Sequence, residues 1–135
     1  MEKEVGDNLL SHNDLQKYLT AFETSFDGIA VIDRDKRILY SNCANANTYG
    51  YASKHELIGM KWPVLCADRE AKRFEDEIVP LAWKNGRWRG KSVGKRRDGS
   101  KFYHEISLAI IEGWRFVVVV RDLTEHKKAI DSLFR

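Results

Sequence analysis

The feature that most constrains the fold is a pair of apolar runs near the end of the 135-residue chain. Residues 101–111 alternate apolar and polar side chains, residues 114–120 are mostly apolar, and a Glu-Gly pair separates the two runs. A period of two is typical of a strand with one buried face, and a short Gly-containing connection joins antiparallel neighbours. These residues predict a β-hairpin whose second strand, with four consecutive valines, is the last and central strand of a sheet.

Three earlier segments predict further strands. The segments "GIAVID" (28–33) and "RILYSN" (37–42) flank a polar turn, and "GRWRGKSVGKR" (86–96) leads into the turn "RDGS". Residues 43–60 have little alternation and two glycines, which favours short helical turns. The order of elements predicts an α+β domain with one five-stranded antiparallel sheet flanked by helices, and with N-terminal and C-terminal amphipathic helices.

An apolar stripe predicts a helix near the N-terminus. Its members recur at i, i+3, i+4 and i+7, with Phe26 as a further candidate at i+11. Such a stripe packs either on its own domain or on the same helix of a second copy, and we expect a homodimer through it. The predicted dimerisation residues are Leu15, Tyr18, Leu19 and Phe22.

A second helix is predicted over residues 68–83. Its predicted core-facing residues are Phe74, Ile78 and Leu81, with Trp83 as a further candidate. Pro80 is expected to end or kink this helix, because proline lacks an N–H and crowds the carbonyl group one turn earlier.

The end of the chain combines the central strand with a charged helix. Asp122 is placed to cap that helix, and Glu125 three residues later completes a capping-box-like pair. These features predict three parts: an N-terminal dimerisation helix at 1–24, a core at 25–122, and the start of a C-terminal signalling helix at 123–135.

Composition and motifs exclude several function classes. The formal net charge of +3 is too small to require a nucleic-acid or membrane partner. We find no apolar run of membrane-spanning length and no signal peptide, so a cytoplasmic location is expected. Cys43 and Cys66 lack the spacing of a metal site, which predicts no metal and no disulfide. There is no Gly-rich phosphate loop, GxSxG or HExxH motif, so no catalytic residue is predicted.

A basic run occupies the predicted third strand and the turn after it. These side chains could contact phosphates. However, charged residues alternate there with Trp88 and Gly90, as expected for a strand with one solvated face, and we favour that interpretation. The run consists of Arg87, Arg89, Lys91, Lys95, Arg96 and Arg97.

Four stretches together resemble the PAS sensor domain with its C-terminal PAC segment, as found in sensory histidine kinases. They are "DGIAVIDRDKRILYSN", "NCANANTYGY" with "HELIGM", "WRGKSVGKRRDGSKF" and "RDLTEHKKA". The resemblance covers about residues 15–128 and implies a regulatory, non-catalytic module. In some members a cavity between sheet and helices holds heme, flavin or a small metabolite. The sequence departs from the family at Asn45, Asn47 and Lys91.

The resemblance also bears on cofactors. In light-sensing members a reactive cysteine follows the "ELIG" motif, but Trp62 stands at that position and Cys66 comes four residues later. Heme-binding members use a histidine on the long helix, and residues 68–83 contain none. Only His104 lies on a core strand. Heme and a flavin-thiol adduct are therefore disfavoured, and the cofactor stays undetermined, with none as one alternative.

Apolar residues of the helical middle and the inward strand faces are the candidates for lining a cavity. The alternative is an ordinary packed core, since apolar residues alone do not prove a void. The candidates are Trp62, Cys66, Phe74, Ile78, Phe102, Ile106, Val118 and Val120.

The predicted function is a cytoplasmic sensory and dimerisation module of a larger signal-transduction protein, with a histidine kinase as the favoured effector. It would relay ligand or redox state to a C-terminal effector domain through Asp122, Thr124 and Glu125. The alternative is the PAS domain of a DNA-binding transcription regulator.

Overall fold

The computed structural model describes residues 12–124 and the side chains from residue 17 onward. A five-stranded antiparallel sheet has the strand order β2-β1-β5-β4-β3. The strands are β1 (Gly28–Ile32), β2 (Ile38–Ser41), β3 (Arg87–Lys95), β4 (Lys101–Ile111) and β5 (Arg115–Asp122). The helices are α1 (His12–Thr24), α2 (Cys43–Thr48), α3 (Asp68–Arg73) and α4 (Val79–Asn85), and 3-10 turns occupy Lys54–Glu56 and Trp62–Leu65. The predicted α+β sheet with flanking helices is confirmed.

Strand β5 lies in the centre of the sheet, between β1 and β4. Phe116, Val118 and Val120 are buried in the core, while Val117 and Val119 on the opposite face are half-buried. Because a central strand has neighbours on both sides, β-branched side chains suit both of its faces. This position explains the unbroken run of valines and confirms the prediction of a central last strand.

The helix between residues 68 and 85 differs from the expectation. It continues past Pro80 to Asn85, because a π-helical turn, Phe74–Ile78, precedes the proline. A π turn carries an extra residue, which rotates the following side chains about the helix axis. The buried face therefore runs through Ile78 and Ala82, and Leu81 is 42% exposed, so the predicted inward position of Leu81 is wrong.

This rotated register predicts a contrast between two substitutions. Ile78→Val should lower the free energy of unfolding by about 1 kcal/mol, because it removes a buried methyl group. Leu81→Ala should change it by less than about 0.5 kcal/mol, because the side chain is exposed. Urea unfolding of both variants checks the contrast, and a larger loss at Leu81 would contradict the register.

Helix α1 ends at Thr24, and a short loop leads to β1. Phe26 in this loop is fully exposed, so it does not extend the apolar stripe as predicted. The carboxylate of Glu23 accepts hydrogen bonds from the Tyr40 hydroxyl at 2.6 Å and the Lys54 ammonium at 2.7 Å. Burial raises the pKa of Glu23, but these two bonds, together with the one accepted from the Cys43 backbone N–H, outweigh burial and lower the pKa to about 2. The end of α1 is thereby joined to the sheet and to the first 3-10 turn.

Asn42 holds together the segments that meet at this end of the core. Its side-chain oxygen accepts the backbone N–H groups of Ile29 and Asn45, both at 2.9 Å. Its side-chain nitrogen donates to the carbonyl oxygens of Phe22 at 2.7 Å and Asp27 at 3.1 Å. One fully buried amide therefore joins the ends of α1 and the loop to the starts of β1 and α2.

Candidate ligand-binding core

The structure brings the eight predicted cavity residues into one apolar core between the sheet and the helices. Each of them is 5% exposed or less. Trp62 and Cys66 come from the second 3-10 turn and the residue after it, Phe74 and Ile78 from the π turn, and the others from β4 and β5. Their assignment as ligand contacts stays a prediction.

Tyr49 is the centre of an aromatic cluster in this core, which the sequence prediction missed. Its ring packs edge-on against Trp62, Phe102 and His104, with ring centroids 5.8, 5.4 and 6.0 Å away. Edge-to-face pairs of this kind are favourable beyond the burial of their area. An aromatic residue directly before Gly50 at the end of a short helix was the available sequence feature.

His104 is fully buried in this cluster and forms a hydrogen bond with Tyr49. The Tyr49 hydroxyl and His104 Nδ1 lie 3.0 Å apart. Burial lowers the pKa of His104 to about 4, and burial raises the pKa of Tyr49 well above its ordinary value. Both side chains are therefore neutral near pH 7. The expectation that His104 lies on a core strand is confirmed.

Three buried side-chain atoms among the described residues have no hydrogen-bond partner: Trp62 Nε1, His104 Nε2 and Asn45 Oδ1. Buried polar atoms are nearly always paired, by protein groups or by water, so each exception needs an explanation. Trp62 and His104 both belong to the cluster around Tyr49. Asn45, one of the residues that depart from the family pattern, instead packs against Gly28 of β1, where an added Cβ atom would lie 2.7 Å from Asn45 Oδ1.

Cys66 is a buried thiol rather than a reactive one. Its Sγ atom lies 4.0 Å from the carbonyl oxygen of Trp62. Burial raises the pKa of Cys66 to about 12, so the nucleophilic thiolate is scarce at neutral pH. Its surroundings match those of a small hydrophobic side chain.

Asp122, the first predicted relay residue, joins the core to the start of the C-terminal segment. One carboxylate oxygen accepts the backbone N–H of Thr124 at 2.8 Å, and the other lies 3.2 Å from the Arg96 guanidinium group. That guanidinium group lies 4.1 Å from the centre of the Phe102 ring. Glu125, the third relay residue, and the predicted helix beyond Thr124 lie outside the described residues.

Most of the basic run is paired with acidic side chains. Arg89 lies 3.2 Å from Glu105, and Arg97 lies 2.9 Å from Glu56. Lys95 pairs with Asp68, and Arg96 with Asp122 as described above. These ion pairs reduce the positive potential of the surface and favour the interpretation of a solvated face.

Among the described residues, no cluster of three or more His, Cys, Asp or Glu side chains could hold a metal ion. No helix within residues 12–124 has the length and apolar character to cross a membrane.

The comparison of the sequence with family models gives a match described as PAS domain over residues 27–125. The chain belongs to the PAS domain family. PAS domains are regulatory modules, which agrees with the absence of a predicted catalytic motif. The comparison with curated proteins gave no match.

Solved PAS domains share the fold. The PAS domain of a Colwellia psychrerythraea protein is 26% identical, with a TM-score of 0.75 over 82% of this chain and 98% of that chain. A PAS domain from a two-component sensor histidine kinase is 18% identical, with a TM-score of 0.71 over 84% and 99% of the two chains. A third, from a LuxR-family transcriptional regulator of Burkholderia thailandensis in complex with ethanol, is 24% identical, with a TM-score of 0.71 over 79% and 97%.

Proposed function

We propose that this PAS domain is a cytoplasmic sensory and dimerisation module of a sensor histidine kinase, in which the state of the core controls an effector domain through the C-terminal segment. The observation that carries the proposal is the contact path that ends at Asp122. It runs from Tyr49 and Phe102 in the core to Arg96 and on to Asp122. The solved PAS domain of a two-component sensor histidine kinase supports the choice of effector through its fold.

The path gives a physical route for the relay. A change in the packing of the Phe102 ring moves the guanidinium group that lies on it, and this group shares the Asp122 carboxylate with the Thr124 backbone. Coupling between sites requires such contiguous contacts, together with an element that has two arrangements. In the proposal, that element is the segment that starts at Thr124.

Asp122→Ala tests the relay. In the full-length protein that carries this domain, we expect altered autophosphorylation and a loss of about 1 kcal/mol in the free energy of unfolding, because the Thr124 N–H loses its acceptor. Asp35→Ala, at an exposed position in the turn between β1 and β2, is the matched control and should change neither. Unchanged autophosphorylation in Asp122→Ala would refute the relay.

The homodimer is the second part of the proposal, and the apolar stripe of α1 supports it. Tyr18 is 52% exposed and Leu19 is 40% exposed, whereas Phe22 is half-buried and packs against Tyr40 with ring centroids 6.0 Å apart. The side chain of Leu15 lies outside the described ones. The end of α1 is joined to the core at Phe22 and Glu23, and the exposed apolar side chains of the preceding turn form a surface that a second copy can bind.

A negative charge introduced into this apolar stripe should therefore prevent dimer formation. We expect Leu19→Glu to shift the protein from dimer to monomer in light scattering, since burying an unpaired carboxylate in an apolar interface costs several kcal/mol. Lys17→Glu, on the same helix, is the control and should remain a dimer. A wild-type protein that is monomeric at high concentration would refute this part of the proposal.

The alternative is that the full-length protein is a DNA-binding transcription regulator, and the LuxR-family PAS domain supports this alternative through its fold. In that case the exposed Arg87 and Lys91 would contribute phosphate contacts. A gel-shift experiment at several salt concentrations distinguishes the DNA-binding regulator from the histidine kinase, because binding to DNA weakens steeply with salt. No shift at low salt would eliminate a role of these residues in DNA binding.

A further inference from the structure

We propose that the free edge of strand β3 binds an acidic segment of a partner protein as an additional antiparallel strand. The proposal goes beyond the sensory function, because it assigns a second interaction surface. β3 is an edge strand of the sheet, and the opposite edge is β2, which α1 contacts through Tyr40. An edge strand carries a row of backbone groups that its own sheet leaves unpaired and that another chain can bind.

The pairing with β4 decides which backbone groups of β3 point away from the sheet. The N–H of Ile110 donates to the carbonyl oxygen of Gly86 at 3.0 Å, and the N–H of Arg96 donates to the carbonyl oxygen of Ser100 at 2.8 Å. Hydrogen-bonded residues alternate along an antiparallel ladder, and the register of β3 with β4 is regular. The even-numbered residues of β3 therefore bond to β4, and the N–H and C=O groups of the odd-numbered residues point to the free edge.

Part of this edge is already covered by the segment that leads into α3 and by α3 itself. The Val93 carbonyl oxygen accepts the backbone N–H of Ala67 at 3.1 Å, and the Lys91 carbonyl oxygen accepts a hydrogen bond from the Arg73 guanidinium group at 3.1 Å. In the described part of the chain, no hydrogen bond reaches the outward groups of residues 87 and 89 or the N–H of residue 91. We call residues 87–91 the open edge; it presents three donors and two acceptors in a line.

The side chains of the open edge favour an acidic partner. Arg87, Arg89 and Lys91 are exposed on the face of the sheet opposite the core. Arg89 lies 3.2 Å from Glu105 but remains largely exposed, and neither Arg87 nor Lys91 forms an ion pair with a described residue. Directly opposite residues of two paired strands have their side chains on the same face. A partner strand with carboxylates at every second position therefore places one carboxylate opposite each cation.

The intervening side chains of such a partner lie on the other face, beside Trp88. The half-buried Trp88 ring lies over Gly90, where an added Cβ atom would be 2.6 Å from the ring. The Arg73 guanidinium group lies 5.6 Å from the centre of the same ring. The exposed part of the indole can cover an apolar side chain. A sequence that fits the open edge therefore alternates acidic and apolar residues.

The same features disfavour a second copy of this edge and a nucleic acid. Antiparallel pairing of two copies about Arg89 would place Arg87 opposite Lys91 and Arg89 opposite itself, and like charges directly opposite each other are destabilising. A nucleic acid offers phosphate oxygens, which pair with the three donors but leave the two outward carbonyl groups against negative charge. An extended polypeptide supplies donors and acceptors in alternation.

The test is fluorescence anisotropy of labelled, end-capped peptides titrated with the 135-residue chain. The probe has the sequence Glu-Val-Glu-Val-Glu, and the control, Glu-Glu-Glu-Val-Val, has the same composition and charge without the alternation. We expect saturable binding of the probe with a Kd of about 100 μM or tighter, and binding of the control about tenfold weaker.

Methylation of single amide nitrogens distinguishes backbone pairing from charge attraction. In the proposed register, the N–H of the central Glu of the probe donates to the Arg89 carbonyl oxygen, whereas the N–H of each Val points away from β3. N-methylation of the central Glu should weaken binding about tenfold, in line with the loss of one hydrogen bond. N-methylation of one Val is the matched control and should leave the affinity close to that of the probe.

Lys91→Glu provides a second measurement, since it places a negative charge on the open edge and keeps the backbone groups. We expect it to bind the probe about tenfold more weakly. Lys61→Glu makes the same change of net charge at an exposed position that bridges to Arg37, next to β2, and should bind the probe as the wild type does. Because the methylated peptides require no variant, the proposal stays testable even if Lys91→Glu does not fold.

Four results would overturn the proposal. These are the absence of saturation with the probe, equal affinity of the alternating and the control peptide, equal effects of the two N-methyl groups, and displacement of the probe by a DNA duplex at lower concentration than by unlabelled probe. The last result would assign the open edge to nucleic acid. None of these measurements depends on autophosphorylation or on the oligomeric state, so the failure of this proposal leaves the proposed sensory function in place.

Discussion

Replacing Asn42 by alanine is expected to lower the free energy of unfolding by about 3 to 4 kcal/mol. The substitution removes four hydrogen bonds at once, two accepted from Ile29 and Asn45 and two donated to Phe22 and Asp27. Each buried backbone group that loses its partner costs about 1–3 kcal/mol, less where water can reach it. Because small domains are stable by only about 5–15 kcal/mol, the change should be clear in a urea unfolding curve.

Asn47→Ala is the matched control, because Asn47 lies on α2, the helix that Asn42 caps, and is exposed. Its expected effect is less than about 0.5 kcal/mol. Asn42→Asp distinguishes the contribution of the amide oxygen from that of the amide nitrogen. The carboxylate keeps the two accepted hydrogen bonds but places an oxygen against the two carbonyl oxygens to which the nitrogen donates. We expect it to be destabilising as well. Equal midpoints for Asn42→Ala and Asn47→Ala would show that the amide does not hold these segments together.

The strands could be predicted from the sequence because their pattern is local. Residues 101–111 alternate in burial as the sequence alternates in polarity, and the four valines occupy the central strand. Turn residues such as Gly113 also mark their positions without reference to the rest of the chain. Local pattern therefore indicates which segments form strands, whereas the pairing of β1 with β5 depends on tertiary packing.

The rotated helix and the aromatic cluster could not be predicted in this way. The π turn at Phe74–Ile78 inserts one residue into a helical register, and helical periodicity cannot show where that residue falls. Tyr49 meets His104 across 55 positions of the chain, so their hydrogen bond depends on how α2 packs against β4. Tertiary packing, rather than any local pattern, decides both.

The candidate site also combines features that local pattern predicts with features that depend on tertiary packing. The eight apolar candidates are found in the core because inward strand positions and helix faces can be recognised from periodicity. The unpaired nitrogens of Trp62 and His104 depend on which groups surround each ring. A search for apolar cavity residues alone therefore includes Trp62 as an apolar ring and overlooks the chemistry of its N–H group.

The stability of the protein should fall between pH 6.5 and pH 4.5 because of His104. In the folded protein the pKa of this residue is lowered from 6.5 to about 4 by burial. The unfolded chain therefore binds a proton over a pH range in which the folded protein does not, so stability rises with pH across this window. Linkage gives a loss of about 2–3 kcal/mol on going from pH 7 to pH 4.5. Urea unfolding at half-unit steps of pH measures it.

His104→Gln identifies the residue responsible, because the amide oxygen can still accept the Tyr49 hydroxyl while the side chain no longer titrates. We expect this variant to be less stable at pH 7 and to lose most of the pH dependence above pH 4.5. His55→Gln, at an exposed position, should keep the wild-type slope. Below pH 4.5, protonation of Glu23, whose folded pKa is about 2, removes further stability in all three proteins. A wild-type slope in His104→Gln would mean that the buried imidazole does not cause the loss.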